Sequence, residues 1–302
     1  MKVVVSGLVN IETNVAVKKF PIPYFPIDYP FFGVETSAGG VGYNVAKALK
    51  TLGDNVTLLS FTGDDLAART IKNELEECKI ETTYVKNELK ATPESVALYD
   101  KTGKREIYCD LKDIQEHTYK LDSEQLIDDA DICVVCNINF NRQLLRAVKA
   151  DGKIIATDVH VLSDLNDEYN KDFMEMADIL FLSDEAVGNQ AHEFIRKMSK
   201  MYDAKVIVMG RGKNGVTYYD RSIDEIKDVP AVKTDNIVNT IGAGDALFSA
   251  FVHYYGKGMS VSECIDRAQI FAALKIGTNG AANGFVGESE IEKYCTSTTI
   301  SK

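Results

Sequence analysis

Six short apolar runs recur along this chain, separated by stretches long enough for helices. The runs are residues 3–5, 56–60, 132–136, 154–157, 179–182 and 206–209. Residues 44–52 place Val45, Ala48, Leu49 and Leu52 on one helical face, and 143–150 and 185–201 also read as helices. Strand, helix, strand in this rhythm predicts an α/β fold with a mostly parallel sheet covered on both faces. Ligands of such sheets bind beyond the carboxyl ends of the strands. Two segments break the rhythm. Residues 20–32 hold Pro21, Pro23, Pro26 and Pro30 among aromatic residues; proline lacks the N–H and clashes with the preceding turn, so helix is excluded there. Residues 95–109 read as a hairpin turning at Lys101-Thr102-Gly103-Lys104. The pair forms either a small β lid over the sheet edge or an ordinary hairpin and an irregular loop. With no repeat, low-complexity tract or linker, the 302 residues read as one domain.

Composition narrows the partners. A net charge of -11 repels nucleic acid and anionic membrane over most of the surface. A phosphorylated ligand then needs a local positive potential, which backbone amides supply. No apolar run approaches the roughly 20 residues that span a bilayer. The start, Met1-Lys2-Val3-Val4-Val5-Ser6-Gly7, is too short for a signal-peptide core and reads as a buried strand. Six cysteines without such a signal point to reduced thiols in the cytoplasm. Cys133 and Cys136 lie in an apolar strand-like run, and no second Cys/His pair completes a zinc set, so they read as core thiols. His117, His160, His192 and His253 lie far apart and read as surface or core residues.

The sharpest local signal is Asn239-Thr240-Ile241-Gly242-Ala243-Gly244-Asp245. Small residues at 242–244 let a phosphate approach the backbone. Ala246, Leu247, Ala250, Phe251 and Tyr254 then repeat at helical spacing until Gly256 and Gly258. Unpaired N–H groups at a helix start carry about half a positive charge in sum. Asp245 is either a helix cap or a base that accepts the proton of an attacking hydroxyl. Upstream, Gly210-Arg211-Gly212-Lys213-Asn214-Gly215 either wraps nucleotide phosphates or is a glycine-rich turn. It is not a Walker loop, which needs Gly-Lys-Ser/Thr.

In combination these motifs resemble the ribokinase-like carbohydrate kinases, also called the PfkB family, over nearly the whole chain. Gly7-Leu8-Val9-Asn10-Ile11-Glu12 is similar to the family's Gly-x-x-Asn-x-Asp. Gly39-Gly40-Val41-Gly42-Tyr43-Asn44-Val45-Ala46 resembles its Gly-Gly-x-x-x-Asn-x-Ala, Gly63-Asp64-Asp65 its Gly-x-Asp turn, and residues 239–245 its Asp-Thr-x-Gly-Ala-Gly-Asp signature. The resemblance implies a ribokinase-like α/β fold with a β lid from about 12–36 and 95–109. It implies ATP and Mg²⁺, with amides of Gly242, Ala243 and Gly244 as an anion hole and Asp245 as general base. It assigns Asn10, Glu12, Gly39, Gly40, Asn44 and Asn137 to the acceptor. Asp184, Gly210, Arg211, Gly212, Gly215, Asn279 and Ala282 go to ATP, with 277–283 near adenine and the monovalent-cation site. Three departures stand out. Glu12 replaces Asp. Asn239 replaces the Asp that helps hold a monovalent cation, which leaves Asn239 as the candidate residue for K⁺ and weakens the case for K⁺ activation. Asp184 and Val187 replace an Asn and a Glu near the metal, leaving Glu185 to compensate.

Family members act on sugars, sugar phosphates and nucleosides. Val41 stands where ribokinases carry lysine, and no basic cluster awaits an already phosphorylated acceptor. The expectation is an unphosphorylated sugar or sugar-like acceptor, phosphorylated at a primary hydroxyl. A pseudouridine-type nucleoside kinase is the alternative, from 39–46 and Cys136-Asn137-Ile138-Asn139, with aromatic residues of 20–32 stacking on a base or closing a homodimer through the lid. A non-catalytic sugar or nucleotide sensor is the rival from another class. A nicotinamide oxidoreductase lacks its glycine fingerprint after the first strand.

Overall fold

A computed structural model describes residues 1–121 and 125–299. Among them the chain runs β1 (Lys2–Ser6), β2 (Asn10–Ala16), β3 (Val34–Gly39), α1 (Val41–Thr51), β4 (Asn55–Thr62), α2 (Leu66–Glu77), β5 (Val85–Asn87), β6 (Glu94–Tyr99) and β7 (Arg105–Asp110). It continues with α3 (Gln125–Asp128), β8 (Ile132–Val135), α4 (Arg142–Ala150), β9 (Ile154–Val161), α5 (Lys171–Met176), β10 (Ile179–Ser183), α6 (Ala191–Met201) and β11 (Val206–Gly210). The remainder is β12 (Val216–Asp220), β13 (Glu225–Val229), α7 (Ala243–Gly256), α8 (Val261–Lys275) and α9 (Glu288–Thr299).

The main sheet has the order β13-β12-β11-β10-β9-β8-β1-β4-β5, parallel from β11 to β5, with β12 and β13 antiparallel at one edge. Its central strands are buried on both faces, which is why the apolar runs are unbroken rather than alternating. Val3, Val5 and Val134 join the core beneath α1, α7 and α8. Val4, Cys133 and Val135 join the core on the opposite face beneath α4 and α6. The two CxxC cysteines are thus buried core residues, as expected.

A second sheet has the order β3-β2-β6-β7, in which β2 and β6 are parallel and the other pairs antiparallel. The hairpin forms as predicted. The sheet is wider than the expected lid, because Asn10 pairs with Gly39 and Glu94 with Asp110. Residues 20–32 stay outside it as an irregular strap whose rings face solvent, Tyr24 being 89 % and Phe31 86 % exposed. One expected helix is shorter than 185–201. Gly188 sits at φ 51°, so 184–190 form two single 3₁₀ turns before α6 begins at Ala191.

Candidate active site

The strand order reverses at β1, flanked by β4 and β8, so the crevice opens at the carboxyl ends of β1 and β8. Gly7 and Gly42 make close packing there: a Cβ on Gly7 would meet Cys136 Sγ at 2.5 Å, and one on Gly42 the Gly7 carbonyl carbon at 2.6 Å. Gly40, at φ 88°, caps α1 where a Cβ would strike the Leu8 carbonyl. These glycines bring α1 onto β1 and aim Asn44 into the crevice.

Asn44 Nδ2 donates to Asp245 Oδ2 at 2.7 Å, joining α1 to the first turn of α7. Gly242 is the N-cap of α7 at φ 76°, with the Ala281 carbonyl 2.2 Å from where a Cβ would stand. Gly244 is exposed and has open space where its Cβ would be. The turn is therefore open to ligand and its acid faces the crevice, with partial solvent access. Of the three expected amides, Ala243 N–H already donates to the Thr240 carbonyl at 3.2 Å, which leaves Gly242 and Gly244 as the available pair. Desolvation pushes the Asp245 carboxyl up to about 6, with the hydrogen bond from Asn44 and the charge of His160 opposing it.

The inner face of the second sheet closes the other side with Asn10, Glu12, Asn14 and Ser95, all buried. Asn10 Nδ2 donates to Ser95 Oγ at 2.9 Å and Asn14 Nδ2 to Glu12 Oε1 at 3.1 Å. Burial raises the Glu12 carboxyl, and the bond from Asn14 counteracts it. Gly39 stands opposite, where a Cβ would lie 3.1 Å from Glu12 Cβ. The side-chain oxygens of Asn10, Asn14 and Asn44 have no hydrogen-bond partner although they are buried. Unpaired buried acceptors are costly, and three around one crevice suit a ligand rich in hydroxyl donors. Asn137 is drawn away from this group: its Nδ2 donates to Asn170 Oδ1 at 2.9 Å.

Of the residues expected at ATP, Asp184, Gly210, Arg211, Gly212 and Gly215 lie at or just beyond the carboxyl ends of β10 and β11, while Asn279 and Ala282 lie in the loop between α8 and α9. Gly210 ends β11, where a Cβ would come only within ordinary contact of Leu247 and the Leu182 carbonyl, and a Cβ on Gly212, at φ 52°, would meet open space. Arg211 is committed to the protein, with Nη1 3.1 Å from Asp228 Oδ1 and 3.2 Å from Thr217 Oγ1, and Nε 3.9 Å from Asp184 Oδ2. Gly215 answers a packing demand, since a Cβ there would collide with the Val229 carbonyl at 2.0 Å. Burial raises the Asp184 carboxyl, with Arg211 opposing. Glu185 pairs with Arg105 of β7 at 3.1 Å, so the second sheet is tied to the turn that follows β10. Asn279 bridges Asn239, whose Nδ2 donates to it at 3.0 Å, and Glu35, to which it donates at 2.5 Å. Ala282 is buried behind that loop.

Sequence reasoning passed over Lys275, Asp158 and Asn14 and read His160 only as a surface or core residue. Lys275, at the last turn of α8, is wholly buried and donates to the Ile241 carbonyl. His160 and Asp158 end β9 within electrostatic reach of Asp245, and Asn14 holds Glu12. Position at the carboxyl end of a parallel strand was the available signal for the β9 pair; a lysine inside an apolar helix pattern was the signal for Lys275. His253 is a core residue, its Nδ1 2.8 Å from buried Asp54 Oδ2.

The family model of the "pfkB family carbohydrate kinase" matches residues 1–286. The chain belongs to the pfkB family of carbohydrate kinases. It is a phosphotransferase with an alcohol group as acceptor, on the family's ribokinase-like α/β fold. Similar curated proteins include a deoxyribokinase of Salmonella typhi, 25 % identical over 97 % of this chain and 98 % of that protein. A nucleoside kinase of Methanocaldococcus jannaschii is 22 % identical over 87 % and 86 %. Among solved structures, a microbiome-derived acarbose kinase superposes with TM-score 0.84 at 25 % identity over 97 % of each chain. Arabidopsis thaliana ribokinase complexed with ribose and ATP superposes at 0.79, 20 % identity and 97 % of each chain, sharing the fold. No helix among the described residues is long and apolar enough to cross a membrane.

Proposed function

We propose that the protein transfers the γ-phosphoryl group of ATP to a primary hydroxyl of an unphosphorylated sugar, with Asp245 as general base. The observation that carries this is the 2.7 Å bond from Asn44 to Asp245, which holds the carboxylate beside the open start of α7. The acceptor hydroxyl gives its proton to Asp245 as its oxygen bonds to the γ-phosphorus. The β–γ bridge breaks in line, and the Gly242 and Gly244 amides face the charge spread over the transferring group. Asn10, Glu12, Asn14 and Asn44 offer the acceptor oxygens and fix its orientation. Asp184 and Glu185 at the end of β10 would hold Mg²⁺, which takes one or two carboxylates and would neutralise phosphate charge, with Glu185 leaving its pair with Arg105 to do so.

A sugar is favoured over a nucleoside because the rings of the strap point to solvent rather than into the crevice, while the inner sheet face presents amides and carboxylate. The second sheet acts as a lid that excludes water, so phosphate goes to the acceptor. Its outer face, with Val34, Val96 and Tyr108 exposed, supports homodimerisation through the lid. Reduced core thiols and dependence on ATP fit a cytoplasmic setting. A coupled ADP-release assay over ribose, deoxyribose, fructose, inositol, adenosine, cytidine and pseudouridine tests the reading. Turnover on a free sugar is expected. Turnover on nucleosides alone favours the nucleoside reading, and ligand binding without any turnover favours a sensor.

A further inference from the structure

The fold family implies a monovalent cation beside the anion-hole loop, and the residues here do not fit one. Such an ion needs oxygen atoms with uncommitted lone pairs. Asn239 Oδ1 instead accepts from Ile241 N–H at 2.7 Å, and Asn239 Nδ2 donates to Asn279. The Ile241 carbonyl accepts from the Lys275 ammonium, which is 0 % exposed. A positive charge therefore already stands against the backbone that leads into Gly242.

We propose that Lys275 is a resident cation of the anion-hole loop, a positioning residue that fixes the Ile241 carbonyl and makes turnover independent of monovalent metal ions. Burying an ammonium is unfavourable, and an apolar residue of similar volume is often no worse for stability. Retention of the charge therefore calls for a role. α8 delivers it: a capping box of Ser260 and Glu263 starts the helix, and Lys275 falls in its last turn under the loop. Burial lowers the ammonium to about 8, Asp245 of α7 and Glu12 of β2 oppose this by favouring its charged form, and Arg105 of β7 adds to the fall. One cation thus faces both the expected base and the carboxylate at the acceptor side. This rests on the kinase reading for its catalytic part, though not for the ion's identity.

The test uses the full chain, with Lys275→Ala, Lys275→Met and Lys275→Arg. Thermal melting and turnover are measured in potassium or methylammonium chloride against choline chloride at equal ionic strength. Wild-type melting temperature and kcat are expected to ignore potassium. Lys275→Ala should lose about 10²-fold in kcat, the scale of a lost anion-hole contact, and regain part of it with potassium or methylammonium. Lys275→Arg should retain activity and move the basic limb of the pH–rate profile, near pH 8 in the wild type, upward. Severalfold potassium activation of the wild type, or wild-type kcat in Lys275→Met, overturns the proposal. If the wild type phosphorylates no acceptor, the kinase reading fails separately and melting decides: potassium raising the melting temperature of Lys275→Ala but not of wild type supports a resident cation, and equal responses overturn it.

Discussion

At Asp245 catalysis and stability separate. Asp245→Asn keeps the shape and the contact with Asn44 but cannot take a proton. We expect kcat to fall by about 10² to 10⁴ with ATP affinity nearly unchanged, read from initial rates and nucleotide titration; turnover near wild type removes Asp245 from the mechanism. The carboxyl is raised from 3.8 to about 6 in the folded chain, so the folded state binds this proton more tightly than the unfolded state. Its contribution is complete below about pH 4 and is lost as pH rises through about 6. The Asn variant escapes that loss. It should melt higher than wild type at pH 8, with an unfolding free energy greater by at most about 3 kcal/mol and less to the extent that water reaches the group. The difference should vanish near pH 4; a variant that melts lower at pH 8 contradicts the desolvation argument. In the wild type, kcat/KM should rise with pH through about 6, because the base works only when ionised. Gly242→Ala forces a left-handed φ of 76° on alanine and drives its Cβ onto the Ala281 carbonyl. A loss of ~1–3 kcal/mol in denaturant unfolding is expected, with turnover reduced too; an unchanged midpoint would mean the turn relaxes at no cost.

The elements that matter most are the β6–β7 hairpin and α7. Ala97 of β6 packs on Ile241 and Ala281, and Arg105 of β7 reaches Glu185, so the hairpin touches both the loop before α7 and the turn after β10. Deleting residues 96–108 should raise acceptor-independent ATP hydrolysis relative to acceptor phosphorylation, measured as phosphate release with and without sugar. An unchanged ratio would mean the hairpin does not shield the crevice. The Arg105–Glu185 pair is exposed on both sides and adds little to stability, so its value lies in where it holds the hairpin. α7 is buried from Ala246 to Tyr254 between α1 and α8, which is how its first turn can be held rigid while its glycines stay open.

For the whole molecule, the outer lid face predicts a concentration-dependent dimer. Sedimentation should show two copies in wild type and one in Val96→Lys, since a charge at the centre of an apolar seam must be desolvated; a monomeric wild type ends that proposal. The sequence by itself determined the parallel sheet, the hairpin, the glycine turn before α7 and the acid after it, because strands buried on both faces need unbroken apolar runs and turns need glycine or proline. These are local demands that each segment states alone. Only the tertiary structure decided that Asn137 turns to Asn170, that Arg211 and Gly215 serve the hairpin at the sheet edge, and that Glu185 pairs with the lid. It also decided that Lys275 lies under Ile241 and Asn14 beside Glu12. Direction and partnership of a long polar side chain depend on which distant segment folds against it, and period or spacing along one strand or helix carries no record of that neighbour.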